Sequence, residues 1–184
     1  PEGYRRGEHT EALVSHLDVF PTLCEYLALE PPDWLVGRSL MPVCRDETDT
    51  ANEAIFASHH YAADLDRYDI KRSVRTDRYK LIRLLTDPEG NDFEQSVHTE
   101  TLIADDPTTE WPETERRMHG CAEGELLFDL ALDPTERINV ADRPAYAEVR
   151  RDLSERLDAW LMRTEEPTIR GHIPPPPGLK GQIP

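Results

Sequence analysis

The stretch K-R-S-V-R-T-D-R-Y-K-L-I-R-L-L, residues 71–85, decides the fold that the sequence predicts. It reads as two strands, residues 70–75 and 79–85, joined at Thr76-Asp77-Arg78, because threonine and aspartate oxygens can hydrogen-bond the local backbone in a turn. In the second strand apolar side chains point to both faces, which is typical of a strand that is covered on both sides. We expect this hairpin to lie at the centre of a small antiparallel sheet.

Two more segments predict strands beside the hairpin. Residues 54–60 read as a short apolar strand that ends in His59 and His60, and residues 125–130, E-L-L-F-D-L, read as another strand. Between the hairpin and the last strand, residues 86–124 are long and mostly polar. So long an irregular segment in a compact domain is expected to be functional, disordered or wrapped over a neighbour.

Two segments predict helices. In residues 18–29, Asp18 is a good N-cap and Pro21 suits the first helical turn. The apolar residues of one helical face are Phe20, Leu23, Cys24 and Leu27. Little predicted sheet is available to cover that face, and an exposed patch of this kind marks a missing partner surface. Residues 143–164 predict the clearest helix, with an apolar stripe that should lie on the sheet.

The charge excludes some partners. The chain has 37 acidic and 21 basic residues, a net charge of −16, and such a surface repels nucleic acid and anionic membranes. Only Lys71, Lys80 and Lys180 among the basic residues are lysines. This composition resembles that of proteins from salt-loving organisms, in which salt screens the repulsion, although an acidic mesophilic protein remains open. No segment has the ~18 apolar residues of a membrane helix, so we expect a soluble protein, cytoplasmic under the high-salt interpretation.

The cysteines and histidines offer few ligands for a metal. Cys24, Cys44 and Cys121 are odd in number and lack C-x-x-C spacing, which argues against a disulfide scaffold or a zinc site. His59 and His60 could contact a substrate or be two ordinary histidines at a strand end. Because adjacent strand residues point to opposite faces, at most one of them faces any given site.

Four motifs in order resemble the sulfatase family. They are S-H-L-D-V-F-P-T-L-C-E-Y-L (15–27), G-R-S-L (37–40), R-S-V-R-T-D-R-Y-K-L-I-R (72–83) and E-L-L-F-D-L-A-L-D-P-T-E-R-I-N-V-A-D (125–142). The insert over residues 86–124 and the ending L-D-A-W-L-M-R-T-E-E-P are most similar to the N-sulfoglucosamine sulfohydrolase branch. The resemblance covers residues 11–167 and concerns the C-terminal portion of that family.

The resemblance implies a hydrolase of the alkaline-phosphatase-like superfamily, acting on sulfate esters or N-sulfates. Members of the family bind a divalent cation, usually Ca²⁺, and attack sulfur with a formylglycine made from the cysteine of a C-x-P-x-R motif. None of the three cysteines of this chain lies in such a motif. We therefore expect no catalytic residue, metal or cofactor in this fragment, which should be inactive by itself, and place the Ca²⁺ and the formylglycine in an upstream part of a longer protein.

The predicted architecture is α/β in the parent protein and α+β in this fragment. Residues 1–45 would end the catalytic domain, residues 53–166 would form a subdomain of antiparallel sheet and helix, and residues 167–184 would form an extended Pro-rich tail. The expected partners are the missing N-terminal catalytic domain and a sulfated small molecule or glycan, contacted by His59 and His60. A phosphonate or phosphodiester hydrolase and a non-catalytic binding or structural module stay open as alternatives.

Overall fold

The structure, a computed structural model, describes residues 3–4, 7–59, 70–85 and 124–165. The predicted insert before Gly124, the Pro-rich tail, His60 and Cys121 lie outside the described residues. The described chain divides into two units. The first contains residues 3–4, 7–56 and 75–77, and the second contains residues 57–59, 70–74, 78–85 and 124–165.

A four-stranded sheet organises the second unit. Its strands are β1 (Ile55–His59), β2 (Lys71–Arg75), β3 (Tyr79–Leu84) and β4 (Gly124–Asp129). They lie side by side in the order β1-β2-β3-β4. The predicted hairpin therefore provides the two inner strands, which confirms its central place, and the predicted flanking strands are the two outer ones.

The inner strand β3 is buried on both faces, as the sequence predicted. It runs antiparallel to β4, with Leu81 opposite Leu127 and Ile82 opposite Leu126. All four side chains are buried, Leu81 and Leu127 completely. Because neighbouring residues of a strand point to opposite faces, the sheet has one apolar layer on each side.

The long helix covers the layer that contains Leu81 and Leu127. A 3-10 turn (Pro144–Tyr146) leads into α3 (Ala147–Arg163), close to the predicted bounds. Its Leu153, Leu157 and Leu161 are buried and recur every four residues, whereas the exposed face is rich in Arg, Asp and Glu. This is the amphipathic pattern of a helix that lies on a sheet.

The loop after β4 covers the outer edge of that strand. The Asn139 Oδ1 atom accepts hydrogen bonds from the Leu127 and Ala141 N–H groups, each at 3.0 Å, and the Val140 N–H donates to the Leu127 carbonyl at 2.9 Å. The backbone groups of Leu127 are therefore satisfied by the loop, which blocks pairing with another chain at this edge. Asn139, within the motif of residues 125–142, therefore stabilises the edge of the sheet.

The first unit contains two short helices, α1 (Val19–Tyr26) and α2 (Met41–Cys44), and a 3-10 turn (His16–Asp18) before α1. The helix α2 was not predicted from the sequence. Its second residue is Pro42, and proline in the first turn of a helix loses no hydrogen bond.

Asp18 occupies the predicted N-cap position of α1, but its side chain does not cap this helix. Instead it accepts from the Ser15 N–H at 2.8 Å, while the Ser15 side chain accepts from Leu17 N–H. Ser15 and Asp18 thus form a capping box around the preceding 3-10 turn. The other Asp18 carboxylate contacts reach Arg38 and Asn52, which are distant in sequence.

The apolar face of α1 is largely exposed. Cys24 is buried, but Phe20, Leu23 and Leu27 are each about half exposed to solvent. The expectation that this face has little sheet to cover it agrees with these exposures. Among the described residues no helix is long and apolar enough to cross a membrane.

Candidate functional site

The C-terminal end of β1 carries the one predicted site residue that the structure describes. His59 is the last residue of this outer strand, and it is exposed together with Ala57 and Ser58. His60 lies outside the described residues. An exposed imidazole offers a ring N–H that can donate to an anionic oxygen.

A buried arginine holds the backbone at His59. The Arg72 side chain is fully buried in β2, and its Nη1 atom donates to the His59 carbonyl at 3.1 Å and to the Lys71 carbonyl at 2.8 Å. A guanidinium is costly to bury unless its N–H groups find acceptors. Arg72 therefore acts as a positioning residue for the end of β1.

Arg72 was missed by the reading of the sequence. The alternation of side chains along β2 could have indicated that Arg72 is buried. Arg72 and Val74 are both buried, while Lys71 and Ser73 are only partly buried. The period of two places Arg72 on the same face as a fully buried valine. Arginines are mostly exposed, and that expectation obscured the pattern.

A charged cluster joins the sheet to α3. Glu125 Oε1 accepts from Arg83 Nε at 3.0 Å and from the Ser154 hydroxyl at 2.6 Å, and its Oε2 accepts from Arg150 Nε at 2.9 Å. Arg83 also pairs with Asp158 on α3. Partial burial alone would raise the pKa of Glu125, but the hydrogen bonds from Ser154, Arg150 and Arg83 outweigh it and lower the pKa below its usual value.

A surface cavity of about 440 Å³ lies beside this cluster, at the start of α3. Its charged lining consists of Glu125, Asp142, Arg143, Arg150 and Arg151. Arg150 is bound to Glu125 and, at 3.5 Å, to Asp142. Of the three lining arginines, Arg150 is thus paired with both carboxylates, and we interpret the Glu125 cluster as structural.

The Glu125 cluster should contribute to stability only above acidic pH. A carboxyl whose pKa is lower in the folded chain than in the unfolded chain stabilises the fold above the unfolded value, about 4.3 for glutamate, and this stabilisation is lost as the pH falls through the folded value. For Glu125→Gln we expect a lower free energy of unfolding at pH 7 and a shallower decline below about pH 4.3. Urea unfolding across pH 2–7 measures both.

Glu155→Gln is the matched control for this prediction, because Glu155 lies on the exposed face of the same helix. It should leave the pH profile of the chain unchanged. An acid decline in Glu125→Gln as steep as in the unmodified chain would contradict the role given to the cluster.

A second carboxylate, Asp129 at the end of β4, is almost fully buried. Arg78 binds both of its oxygens, at 3.0 and 2.8 Å, and the Tyr146 hydroxyl lies 3.4 Å from Oδ2. The Arg78 hydrogen bonds lower the pKa of Asp129 against the opposing effect of burial. Both carboxylate oxygens of Asp129 accept hydrogen bonds from protein donors. This carboxylate therefore stabilises the fold and is not available to bind a substrate.

The metal and the formylglycine of the predicted parent do not fit the residues that the structure describes. Within residues 3–4, 7–59, 70–85 and 124–165 no three His, Cys, Asp or Glu side chains converge in a way that could hold a metal ion. Cys24 is buried and Cys44 is exposed, and neither is followed by x-P-x-R.

Comparison with known proteins gives the family of the chain. The family model described as "N-sulphoglucosamine sulphohydrolase, C-terminal" matches residues 1–101, which is more than half of the 184 residues. The matched region includes α1, the exposed end of β1 and the β2–β3 hairpin.

Individual proteins are similar over nearly the whole chain. The N-sulphoglucosamine sulphohydrolase of Homo sapiens is 29% identical over 92% of this chain and 36% of its own length. The multifunctional alkaline phosphatase superfamily protein PehA of Trinickia caryophylli is 27% identical over 94% of this chain and 29% of its own length. The chain thus spans about a third of the curated relatives it matches.

A solved structure shares the fold. A 2-O GAG sulfatase superposes with a TM-score of 0.65 and 22% identity, over 99% of this chain and 32% of that one. The α+β arrangement of this chain is therefore shared with part of that sulfatase. The chain belongs to the family of the N-sulphoglucosamine sulphohydrolase C-terminal region.

Proposed function

We propose that this chain is the C-terminal part of a longer sulfatase that hydrolyses sulfate esters or N-sulfates, and that it forms the substrate side of the active-site cleft. The observation that carries the proposal is the family match over residues 1–101. Sulfated sugars are the substrate class that the names of the human relative and of the 2-O GAG sulfatase suggest.

The nucleophile and the metal belong, in this proposal, to the upstream part. This division follows from the absence of C-x-P-x-R in the sequence and from the lack of fit for a metal among the described side chains. What this chain contributes is binding and orientation of the sulfated substrate. His59, His60 and the segment of residues 86–124 are the proposed contacts.

His59 suits this task because its side chain is exposed while its backbone is fixed by Arg72. A binding side chain loses less freedom on binding when its backbone is already fixed. An imidazole N–H aimed at a sulfate oxygen makes a charge-assisted hydrogen bond, which is roughly twice as strong as a neutral one. His60 is the alternative candidate for this contact, since at most one of two adjacent strand residues faces a given site.

The double variant His59→Ala, His60→Ala tests this role in the complete protein. A hydrogen bond to a charged group contributes about 1.5–3 kcal/mol, so kcat/KM on a sulfated glucosamine should fall about 10- to 100-fold. The measurement is steady-state release of sulfate. Exposed His16 provides the control, and His16→Ala should leave kcat/KM unchanged. An unchanged kcat/KM in the double variant on every sulfated substrate would contradict the proposed role.

A second candidate is hydrolysis of phosphonate esters or phosphate diesters. The similarity to PehA, a multifunctional protein of the alkaline phosphatase superfamily by its name, favours keeping it. Turnover of matched sulfate and phosphonate esters of the same alcohol distinguishes the two, since the leaving group is then identical and only the transferred group differs. Faster turnover of the phosphonate would favour the second candidate.

A further inference from the structure

The cavity beside the start of α3 contains cationic side chains that the fold does not use. It lies wholly within the second unit and has a volume of about 440 Å³. Three arginines and two carboxylates line it, so the lining has one positive charge in excess. The whole chain, by contrast, carries a net charge of −16. We call this site the α3 cavity.

Arg150 is the arginine of the α3 cavity that the fold does use. Its guanidinium pairs with Glu125 at 2.9 Å and with Asp142 at 3.5 Å. Glu125 is bound further by Arg83 and by the Ser154 hydroxyl. Each of the two carboxylates in the lining therefore already has an arginine partner.

Arg143 and Arg151 have no such partner. Neither side chain makes a hydrogen bond or an ion pair with another residue in the described part of the chain. For Arg151, acidic residues are nearby, because Glu148 and Glu155 lie three residues before it and four residues after it on α3. This is the spacing at which ion pairs form on a helix, yet neither glutamate pairs with it. Both guanidinium groups thus line the α3 cavity and are available to a ligand.

The lining of the α3 cavity suits a ligand that is part anion and part sugar. Arg143 precedes the 3-10 turn and Arg151 lies within α3, so the two guanidinium groups belong to separate elements. Between the charges, Ala141, Pro144 and Ala147 are small and apolar. Apolar walls with a few polar groups are typical of small-molecule sites, and the volume lies within their range of roughly 300–1,000 Å³.

We propose that the α3 cavity binds a sulfate group of a sulfated sugar chain through Arg143 and Arg151. The identity of the ligand rests on the proposed function. A guanidinium donates two parallel hydrogen bonds to an oxyanion in a fixed fork, which a lysine cannot do. A sulfate group accepts such bonds and carries the negative charge that two unpaired arginines require.

A free sulfate ion offers the same oxygens and is the other source of this chemistry. The apolar part of the lining favours the sugar-bound group. A free ion has no apolar surface to place against Ala141, Pro144 and Ala147, whereas a sugar ring presents C–H groups to them. The sugar unit that carries the sulfate would therefore fill the rest of the α3 cavity.

The double variant Arg143→Gln, Arg151→Gln tests the proposal in the complete protein. The probe is an O-sulfated tetrasaccharide with a fluorescent label, and its binding is measured by fluorescence anisotropy. Two charge-assisted contacts, partly screened by solvent, are lost, so the Kd should rise about 10-fold. Because both side chains are exposed and bind no other residue of the described chain, the melting temperature should stay unchanged.

The matched control is Arg137→Gln, Arg163→Gln. Both arginines are exposed in the same unit and neither lines the α3 cavity. This variant removes the same number of charges, so it reports any general effect of net charge on the binding of a polyanion. Its Kd should stay within about twofold of the unmodified protein at physiological salt, where distant charges are screened.

Three results would overturn the proposal. An unchanged Kd in the Arg143, Arg151 double variant would mean that the α3 cavity does not bind the probe. An equal rise in the control variant would mean that only net charge matters. Displacement of the probe by low-millimolar sodium sulfate, beyond that by sodium chloride of equal ionic strength, would assign the α3 cavity to the free ion. Anisotropy requires no hydrolysis, so a complete protein that releases no sulfate would contradict the proposed function without deciding this result.

Discussion

Asp18→Ala is expected to lower the free energy of unfolding of the first unit by about 4 kcal/mol, because a buried acceptor group is lost. The Asp18 carboxylate is 2% exposed and accepts from the Ser15 N–H, the Arg38 N–H and the Asn52 Nδ2, each at 2.8 Å. These donors belong to three separate segments of the chain. Without the carboxylate, the Ser15 and Arg38 N–H groups lose this acceptor at once, and Asn52 Nδ2 keeps only its bond to the Leu13 carbonyl.

Urea unfolding followed by circular dichroism measures this loss. Asp18→Asn should also be destabilising, by about 2 kcal/mol, because its NH₂ group faces donors where an acceptor is needed. The control is Asp33→Ala, since Asp33 is exposed in the same unit, with a change within about 0.5 kcal/mol. An Asp18→Ala chain as stable as the Asp33→Ala chain would contradict the account.

Gly37→Ala is expected to cost about 3 kcal/mol or more through steric overlap. A Cβ atom at residue 37 would lie 2.0 Å from the Leu17 carbonyl oxygen and 2.9 Å from the Asp18 backbone nitrogen. Both are backbone atoms that cannot rotate away. The substitution must therefore displace the Ser15–Asp18 turn or the segment that brings the Arg38 N–H to Asp18.

Gly7→Ala is the control that separates overlap from backbone strain. Gly7 has a φ of +67° but nothing within 4 Å of an added Cβ, so it should cost only about 1 kcal/mol. Thermal unfolding of both variants gives the comparison. If Gly37→Ala were no more harmful than Gly7→Ala, the close approach of residues 17 and 37 would not be a constraint on the fold.

The sheet and the long helix could be predicted from the sequence because their signals are local. The two-sided apolar pattern of residues 79–84 and the four-residue spacing of Leu153, Leu157 and Leu161 each lie within one element. The motif of residues 125–142 contains Asn139, but the bond from Asn139 to Leu127 required the structure. The spacing of the apolar residues and the presence of turn-forming residues were sufficient to predict these elements.

The roles of Asp18 and Arg72 could not be predicted because their partners are distant or unusual. Asp18 is bound by residues 20 and 34 positions away, which no local pattern indicates, so the capping interpretation was the natural one. Arg72 is a buried charge, against the usual preference of arginine for the surface. For the candidate site, the sequence identified His59 but not the arginine that fixes its backbone.

The exposed face of α1 was anticipated for a physical reason. An apolar helical face needs a surface to cover it, and the sequence offered no sheet beside residues 18–29. The half-exposed Phe20, Leu23 and Leu27 agree with that reasoning. The chain matches only about a third of its relatives' length, and the surface that would cover α1 is not among its predicted elements.

The most direct test of the central claim is the release of inorganic sulfate from glucosamine N-sulfate and glucosamine 6-O-sulfate by the complete protein, measured by ion chromatography. If the chain is part of a sulfatase, the complete protein should release sulfate from at least one of these two substrates. The 184-residue chain alone should release none. The absence of sulfate release from any sulfated sugar, with the complete protein folded and turning over a phosphonate ester, would contradict the account.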